Sequence, residues 1–301
     1  MNDAILSNYR RAGQVASEVR TFGVGLIKEG VCFVDVANAI EDQIRQKGCK
    51  SAFPVNISRN EIAAHYSPRI DDQSVFKRGD VIKLDVGVHV DGYIADTAVS
   101  VEVGTDKHTK LIEASRAALN QAISTLQDQA SIMEIGKKIQ ETIASFGYTS
   151  IDNLTGHSMN RYVLHAGLSI PNVLDHSFEK IIPRPGTVIA IEPFATTGAG
   201  HVISGEGSNI YLCTDSLRGR LVRDQSARVV LQKMRTMFTT LPFAQRWCIP
   251  HISNADSMLK KLTFMGSLRH YPQLIEKQKG LVSQSEHTVV VTENGYEVIT
   301  K

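Results

Sequence analysis

Two aspartates in residues 83–100 have the type and spacing to hold a metal ion between them. The segment reads KLDVGVHVDGYIADTAVS, and Asp91-Gly92 is a turn signal typical of a two-residue β-hairpin loop. With that loop, Asp96 pairs with Gly87, and Asp85 lies on the same face as a diagonal neighbour of Asp96, roughly 7 Å away at the backbone. Two carboxylates this close in apolar surroundings require a proton or a cation between them. The alternative is a pair of surface acids, one of them in a salt bridge.

Three further candidate ligands, namely one of two histidines and two glutamates, lie on or beside apolar strands. His157 and His165 are eight residues apart in GHSMNRYVLHAG, an even separation that puts them on one face if the segment is extended. Glu192 ends the apolar run TVIAIEPF, and Glu286 precedes HTVVV, where a buried glutamate without a partner is costly. Either histidine alone is more often a hydrogen-bonded core or rim residue than a ligand. Together, two aspartates, one histidine and two glutamates fit a dinuclear site for Mn, Fe, Co or Zn.

The elements that must position these side chains form a repeat. Apolar residues at helical spacing predict four amphipathic helices, at residues 9–28, 35–47, 108–126 and 132–146. The apolar positions of the fourth helix match those of the second at a constant offset of 99 residues, as in Val36 and Ile135. The pattern predicts an α+β fold with two halves related by a pseudo-twofold axis. Chance similarity of two amphipathic helix pairs is the alternative.

Composition narrows the class of protein. The 301 residues are 42% hydrophobic and 21% charged with a net charge of +2, so strong attraction to nucleic acid or membranes is not implied. The first residues are too polar for a signal peptide, and no apolar run reaches the roughly 18 residues of a membrane span. The four cysteines are far apart and show no CxxC spacing, which favours reduced thiols and a cytoplasmic location. Nothing near any of them supports a nucleophilic cysteine.

The motifs together resemble those of the methionine aminopeptidases. The resemblance covers essentially the whole chain and is carried by NEIAAHYSP, KLDVGVHVDGYIADTAVS, TGHSMNRYVLHAGLSIPN, AIEPFATTGAG and EHTVVV. It implies the pita-bread (creatinase/aminopeptidase) fold, an α+β architecture of two pseudosymmetric halves. It also implies a metallo-exopeptidase that removes the N-terminal methionine from nascent proteins and peptides, by attack of a metal-bridging hydroxide on the first peptide bond.

A long segment between Glu192 and Glu286 resembles the helical, winged-helix-like insertion of type II enzymes. Helices are predicted at about 223–238 and 255–264, followed by a hairpin-like stretch to Val282, and LPFAQRW occupies 241–247. Without the charged N-terminal extension of eukaryotic members, the chain is similar to archaeal type II enzymes. The expected domains are a catalytic domain, residues 1–212 and 281–301, and an insertion subdomain, residues 213–280.

The resemblance assigns the five ligands to two divalent metal ions per chain, with Co, Mn, Fe and Zn as the candidates. Asp96 and Glu286 are expected to bridge both ions, Asp85 to bind one in bidentate fashion, and His157 and Glu192 to bind the other. The metals would lower the pKa of a bridging water and polarise the scissile carbonyl. The free α-amine of the substrate would bind a metal, which restricts cleavage to N-terminal residues.

The resemblance also implies roles around the metals. Glu192 is the expected proton shuttle, His165 the donor to the carbonyl oxygen, and His65 a contact of the scissile amide. Phe53 and Leu164 are expected to line the methionine pocket, with a plain core position as the alternative for Phe53. The expected partners are N-terminal Met peptides and nascent chains, with the enzyme acting as a monomer; contact with the ribosome is left open.

Three other interpretations compete. The nearest is a proline-specific peptidase, a prolidase or aminopeptidase P, which shares the fold and ligands. A catalytically inactive binding protein would lack ligands, whereas all five are present. Nucleic-acid binding by the insertion is disfavoured because its basic residues are interleaved with acidic and apolar ones; they are Arg218, Arg220, Arg223, Arg228, Lys233 and Arg235.

Overall fold

A pair of helices occurs in each half of the chain, with matching positions. The computed structural model describes residues 1–128, 130–214 and 224–301. Its first four helices are α1 (Asp3–Leu26), α2 (Phe33–Gln46), α3 (Thr109–Thr125) and α4 (Ile132–Ser145). The bounds of α2 and α4 are related by the predicted offset of 99 residues. The repeat recognised in the sequence is therefore a repeat of structure.

Helix α1 begins earlier than the apolar pattern indicated. Asn2 caps it, since its side chain accepts a hydrogen bond of 2.9 Å from the Ile5 N–H. The spacing of apolar residues does not reveal a polar cap of this kind. Helix α4 begins at a capping box, in which Ser131 and Glu134 each accept from the other's backbone N–H. Local polar residues thus set the helix starts, while the apolar faces set the packing.

The hairpin over residues 83–100 has the predicted register. Strands β4 (Val81–Val90) and β5 (Tyr93–Glu102) pair with Gly87 opposite Asp96. Asp91 and Gly92 have φ angles of 50° and 87°, the positive values that a type I′ turn requires. Three short strands lie in the same half, and β1 and β2 pair with β4: β1 (Lys50–Ser51), β2 (Asn56–Arg59) and β3 (Ile62–Ala64).

The second half has a five-stranded sheet of its own, and it joins the first half at Glu286, which directly precedes strand β15 (His287–Thr292). Its sheet has the order β16-β15-β9-β7-β8. At the junction with β5, Glu286 donates its backbone N–H to the Ala98 carbonyl at 2.9 Å and accepts from the Ala98 N–H at 3.4 Å. The other strands are β6 (Thr149–Ser150), β7 (Thr155–Met159), β8 (Ser169–Pro171), β9 (Val188–Ile191), β10 (Phe194–Thr196), β14 (Val282–Gln284), β15 (His287–Thr292) and β16 (Gly295–Val298).

Two predicted strands differ from those observed. The residues FPVNI at 53–57 predict a short strand, but the strand begins only at Asn56, because Pro54 has no N–H and the Val55 N–H donates to the Glu41 side chain instead of to a neighbouring strand. The residues SQSEHTVVV at 283–291 predict one closing strand, but it is interrupted at Ser285 and Glu286, since β14 pairs with β10 and β15 pairs with β9. The interruption places Glu286 where the two halves meet.

The segment between β10 and β14 carries helices on a long antiparallel pair of strands. It contains β11 (Val202–Cys213), β12 (Phe243–Ala244) and β13 (Leu268–Glu276), with α5 (Gln225–Phe238), α6 (Gln245–Cys248) and α7 (Ala255–Phe264). The expected hairpin-like stretch before Val282 is wrong, because residues 268–276 form one strand that pairs with β11 and β3. The expected start of the first insertion helix, and Arg218, Arg220 and Arg223, lie outside the described residues.

Apolar side chains of this segment form a core of their own. It is built around buried residues that include Leu231, Met234, Phe243 and Leu262. Two further apolar clusters lie beneath the two helix pairs, and the first of them also includes Met159, Val188 and Val290 from the second half. No helix in the described parts of the chain is long and apolar enough to cross a membrane.

Candidate metal centre

The five predicted ligands line one cavity. Asp85, Asp96, His157, Glu192 and Glu286 all contribute to its wall. The other four predicted site residues, Phe53, His65, Leu164 and His165, line the same cavity. The structure therefore brings together every residue that the sequence singled out for the site.

Strand register explains how the ligands converge. Asp85 and Asp96 lie on adjacent strands, and the partner of Asp96 is Gly87, two positions from Asp85 on the same face. Backbone hydrogen bonds between Ala98 of β5 and Glu286, which directly precedes β15, bring the Glu286 carboxylate beside them. Glu192 follows β9 directly, and His157 on β7 pairs with Ala190 of β9.

The distances among the ligands suit a metal ion. One ligand atom from each of Asp96, His157 and Glu286 lies within 4.8 Å of the others. The His157 Nε2 is 3.7 Å from Asp96 Oδ2 and 3.7 Å from Glu192 Oε1. The Gln284 side chain donates to Glu192 Oε2 at 3.1 Å, which leaves Oε1 directed toward the imidazole.

Burial and mutual repulsion make four ionised carboxylates unstable here without a cation. Burial raises the pKa of Asp85 to about 7. Burial, and then the charges of the neighbouring carboxylates, raise the pKa values of Asp96, Glu192 and Glu286 well above the usual range. Asp85 Oδ1 and Asp96 Oδ1 are buried without a hydrogen-bond partner among the described residues.

A divalent cation fits this donor set. Carboxylate oxygens and an imidazole are ligands of Mn, Fe, Co and Zn, and the positive charge would stabilise the ionised carboxylates that burial disfavours. Burial lowers the pKa of His157 to about 3, so its ring is neutral at physiological pH, as a metal ligand must be.

His165 reaches the site by a route that the strand pattern did not predict. Strand β7 ends at Met159, and a bridge between Asn160 and Val163 reverses the chain. The His157 and His165 rings then lie with centroids 4.4 Å apart. The expectation of one extended segment is therefore wrong, although the two rings do meet.

His65 has an unusual backbone conformation at the cavity wall. Its φ of 65° is positive, which is uncommon for a residue other than glycine and is typically retained at functional sites. Its ring lies 5.5 Å from the Tyr271 ring, edge to face. Burial lowers the pKa of His65 to about 4, so the imidazole is neutral over the physiological range.

Phe53 is both a core residue and a wall of the cavity. It belongs to the core of the first half, and its ring packs on Gly87, where an added Cβ would lie 2.2 Å from Phe53 Cε1. The absence of a side chain at Gly87 thus allows the ring to lie flat against β4, beside Asp96. The two interpretations of Phe53 are not exclusive.

Sequence reasoning missed several cavity residues, namely Asn56, Ala64, Ile210, Pro242 and Tyr271. Asn56 pairs with Asp85 across β2 and β4, but no turn joins those strands to reveal the register. Tyr271 comes from β13, whose pairing with β3 is still more distant in sequence. Only Asn56, a polar residue within a predicted strand, carried a signal that could have been followed.

Comparisons with known proteins agree on one family. The profile of "Metallopeptidase family M24" matches residues 7–293. The methionine aminopeptidase of Methanocaldococcus jannaschii is 46% identical over 290 residues, 96% of each chain. The methionine aminopeptidase of Methanothermobacter thermautotrophicus is 42% identical over 301 residues, 99% of each chain.

Solved structures show the same fold at low identity. A thermophilic Arx1 superposes with a TM-score of 0.86 at 16% identity, over 99% of this chain and 91% of that one. A prolidase from Pyrococcus furiosus superposes with a TM-score of 0.61 at 17% identity, over all of this chain and 64% of its own. The two-halved architecture is thus the pita-bread fold expected from the motifs.

Proposed function

The chain belongs to the metallopeptidase family M24, and from that premise we propose that it is a methionine aminopeptidase of the archaeal-like type. It removes the N-terminal methionine from peptides and proteins in a reaction that depends on divalent metal. The observation that carries this function is the whole-length match to curated methionine aminopeptidases, at 46% identity for the enzyme of M. jannaschii. The cavity holds the donors that such a reaction requires.

A proline-specific peptidase is the weaker candidate. The prolidase from P. furiosus shares 17% identity, and this chain spans 64% of its length. A likeness at that level reports the fold, and fold alone does not assign a substrate. Methionine aminopeptidases, by contrast, match nearly the whole chain at identities between 39% and 46%.

We propose two divalent ions, held by Asp85, Asp96, His157, Glu192 and Glu286. Asp96 and Glu286 lie at the junction of the two halves, where their carboxylates would help to hold the ions. When bound, the ions would lower the pKa of a water and polarise the scissile carbonyl. Co, Mn, Fe and Zn all suit these ligands.

Glu192 is positioned to move the proton. Its Oε2 accepts from Gln284, while burial and the charge of Asp85 raise the pKa of its carboxyl. A carboxylate with a raised pKa can take a proton from the attacking water and return it to the departing amine nitrogen. This role accounts for a glutamate at the end of a buried apolar strand.

The histidines and the apolar wall orient the substrate. Burial lowers the pKa of His165, so the neutral ring retains one N–H to donate to the carbonyl oxygen as negative charge develops. His65 lines the same cavity and would contact the nitrogen of the scissile amide. Phe53 and Leu164 pack against the methionine side chain, a contact that separates similar apolar side chains by about 1–3 kcal/mol.

Domain boundaries at 212/213 and 280/281 are part of the proposal. The separate apolar core of the segment supports them. The boundary cuts the β11–β13 ladder, however, and Tyr271 from within the insertion lines the cavity. We therefore propose an insertion subdomain that completes the wall of the catalytic site.

We propose further that the enzyme is a cytoplasmic monomer that acts on nascent chains, with the ribosome as a candidate partner. The low net charge of +2 and the widely spaced cysteines support this location. Cosedimentation with ribosomes tests the partner, and sedimentation equilibrium tests the monomer.

A peptide panel tests the function. Protein loaded with Mn, Fe or Co is expected to release methionine from Met-Ala-Ser and Met-Gly-Ser, measured by chromatography of the products. N-acetyl-Met-Ala-Ser is the matched control and should remain intact, because it lacks the free amine. Preferential cleavage of Xaa-Pro peptides without N-terminal methionine would instead favour the proline-specific peptidase.

A further inference from the structure

Asn56 lines the cavity and has a buried side-chain oxygen without a hydrogen-bond partner among the described residues. Its side chain is 4% exposed and lines the cavity wall. Its Nδ2 donates to the Pro54 carbonyl at 2.9 Å, which fixes the amide orientation because a carbonyl accepts only from the NH₂ group. The Oδ1 receives no hydrogen bond from the described residues. Buried polar atoms normally have a partner, so a ligand is expected to supply the missing one.

The position of Asn56 identifies the end of the substrate that it faces. Asn56 pairs with Asp85, so the two side chains lie on the same face of the sheet. Phe53, three residues earlier, lines the cavity and packs on the same strand as Asp85. Asn56 thus neighbours both the apolar wall residue Phe53 and the candidate metal ligand Asp85. In an N-terminal methionine, the α-carbon with its amine lies between the side chain and the scissile carbonyl.

The chemistry of methionine leaves one donor at that position. An amide oxygen can only accept a hydrogen bond. The thioether side chain has no N–H or O–H, and the scissile carbonyl is itself an acceptor. The peptide N–H lies beyond the carbonyl, on the side assigned to His65 and His165. We infer that Asn56 Oδ1 accepts a hydrogen bond from the α-amine of the substrate's N-terminal methionine.

The backbone around Asn56 holds the side chain in place for this contact. The Val55 N–H donates to Glu41 Oε1 at 3.2 Å, and the Ile57 N–H donates to the Tyr66 carbonyl at 2.7 Å. With both neighbours bonded and Nδ2 engaged, the oxygen is fixed before the substrate arrives. Such preorganisation reduces the entropy lost on binding.

The inference rests on the proposed function, and a matched pair of ligands tests it separately. L-Methioninamide carries the α-amine, whereas 4-(methylsulfanyl)butanamide has the same skeleton without it. Binding of each to Mn-loaded protein is measured by calorimetry, for the wild type and Asn56→Leu, which keeps the shape and removes the acceptor. The variant should bind L-methioninamide about tenfold more weakly and the amine-free amide about as well as wild type, because one hydrogen bond to a buried group is lost.

Further variants separate recognition from general damage. Asn56→Asp keeps an acceptor and is expected to recover much of the affinity for L-methioninamide. Asn172→Leu is a matched control: Asn172 is also buried, donates its Nδ2 to a carbonyl (Leu154 O, 2.9 Å) and has an unpartnered Oδ1, but does not line the cavity. It should leave the ratio of the two affinities unchanged. With Met-Ala-Ser, Asn56→Leu is expected to raise KM about tenfold with little change in kcat.

Several results would overturn the inference. Equal weakening of both ligands, or no weakening, would show that Asn56 does not contact the amine. A lower Mn content in Asn56→Leu than in Asn172→Leu would assign the oxygen to the metal instead. Each of these results leaves the proposed function intact if the wild type still releases methionine. A wild type that neither releases methionine nor binds L-methioninamide would contradict the proposed function, and the inference with it.

Discussion

Among single residues, Glu192 combines the position of a proposed metal ligand with buried surroundings that raise the pKa of its carboxyl. Its Oε1 lies 3.7 Å from the His157 Nε2, and its Oε2 accepts from Gln284. Burial is the main cause of its raised pKa, followed by the charge of Asp85. The efficiency of a general base depends on its pKa. Because burial is what raises the pKa of Glu192, the buried position is expected to affect the rate of proton transfer.

Glu192→Gln should lower kcat by about 10²–10⁴-fold, the range typical of a lost general acid–base residue. Its KM for Met-Ala-Ser is expected to change little, and its far-UV circular dichroism should match wild type. Steady-state kinetics, with the metal content measured on the same sample, checks this.

His65→Ala is expected to lower turnover sharply in the same assay.

Glu113→Gln is a suitable control, since Glu113 lies on α3 in an exposed ion pair with Arg116. It should retain wild-type kinetics. Full activity in Glu192→Gln at normal metal content would refute the role assigned to Glu192.

Among the helices and strands, the short helix α6 connects the proposed insertion to the first half of the chain through side-chain hydrogen bonds. Arg246 on α6 forms a buried ion pair with Glu41 on α2. It also donates to Ser67 Oγ at 2.8 Å and to the Pro68 carbonyl at 2.9 Å. Trp247 Nε1 donates to the second oxygen of Glu41 at 2.7 Å. The network thus joins the insertion to the segment that follows His65.

Arg246→Met should destabilise the protein by about 3–5 kcal/mol, because it leaves the buried Glu41 carboxylate without its cation. The double variant Glu41→Gln/Arg246→Met should be less destabilised than the single one. The neutral amide can still accept from Trp247 and leaves no buried charge. Denaturant unfolding followed by circular dichroism measures both.

The network would be contradicted if the double variant lost as much free energy of unfolding as Glu41→Gln and Arg246→Met lose together as single variants. Arg228→Met is the matched control on α5, at an exposed position. Its free energy of unfolding should stay within about 0.5 kcal/mol of wild type.

At the scale of the whole molecule, the site exists only where the two halves meet. Asp85 and Asp96 come from the first half, whereas His157, Glu192 and Glu286 come from the second. The backbone bonds between Ala98 and Glu286 hold the junction. Arg20 of α1 reinforces it, since its guanidinium donates to the side chain of Thr97 and, at 3.2 Å, to the Thr300 carbonyl. The chain must therefore complete both halves before it can bind metal as proposed.

The sequence could predict what local chemistry determines. Asp91-Gly92 sets the hairpin register because few dipeptides tolerate two positive φ angles, and that register places Asp85 and Asp96. The offset of 99 residues is likewise a property of two amphipathic patterns. Glu192 and Glu286 were identified because apolar strands rarely end in a buried acid.

Pairings between distant strands and the directions of side chains could not be predicted from local sequence patterns. The route of His165 depends on a turn without glycine or proline at its centre. The pairing of Asn56 with Asp85 depends on strands joined by a long connection. The contact between α6 and α2 depends on residues about 200 positions apart. No local pattern encodes such distances, so these features appear only in the folded chain.

We expect this site to release methionine only when divalent metal is bound. Titration of chelator-treated protein with Mn, Fe, Co or Zn, with methionine release from Met-Ala-Ser as the readout, tests this claim. We expect no release before metal is added, followed by a rise that reaches a plateau at two equivalents per chain. Asp96→Asn should not recover at those concentrations. Undiminished release in the presence of excess chelator would contradict the claim.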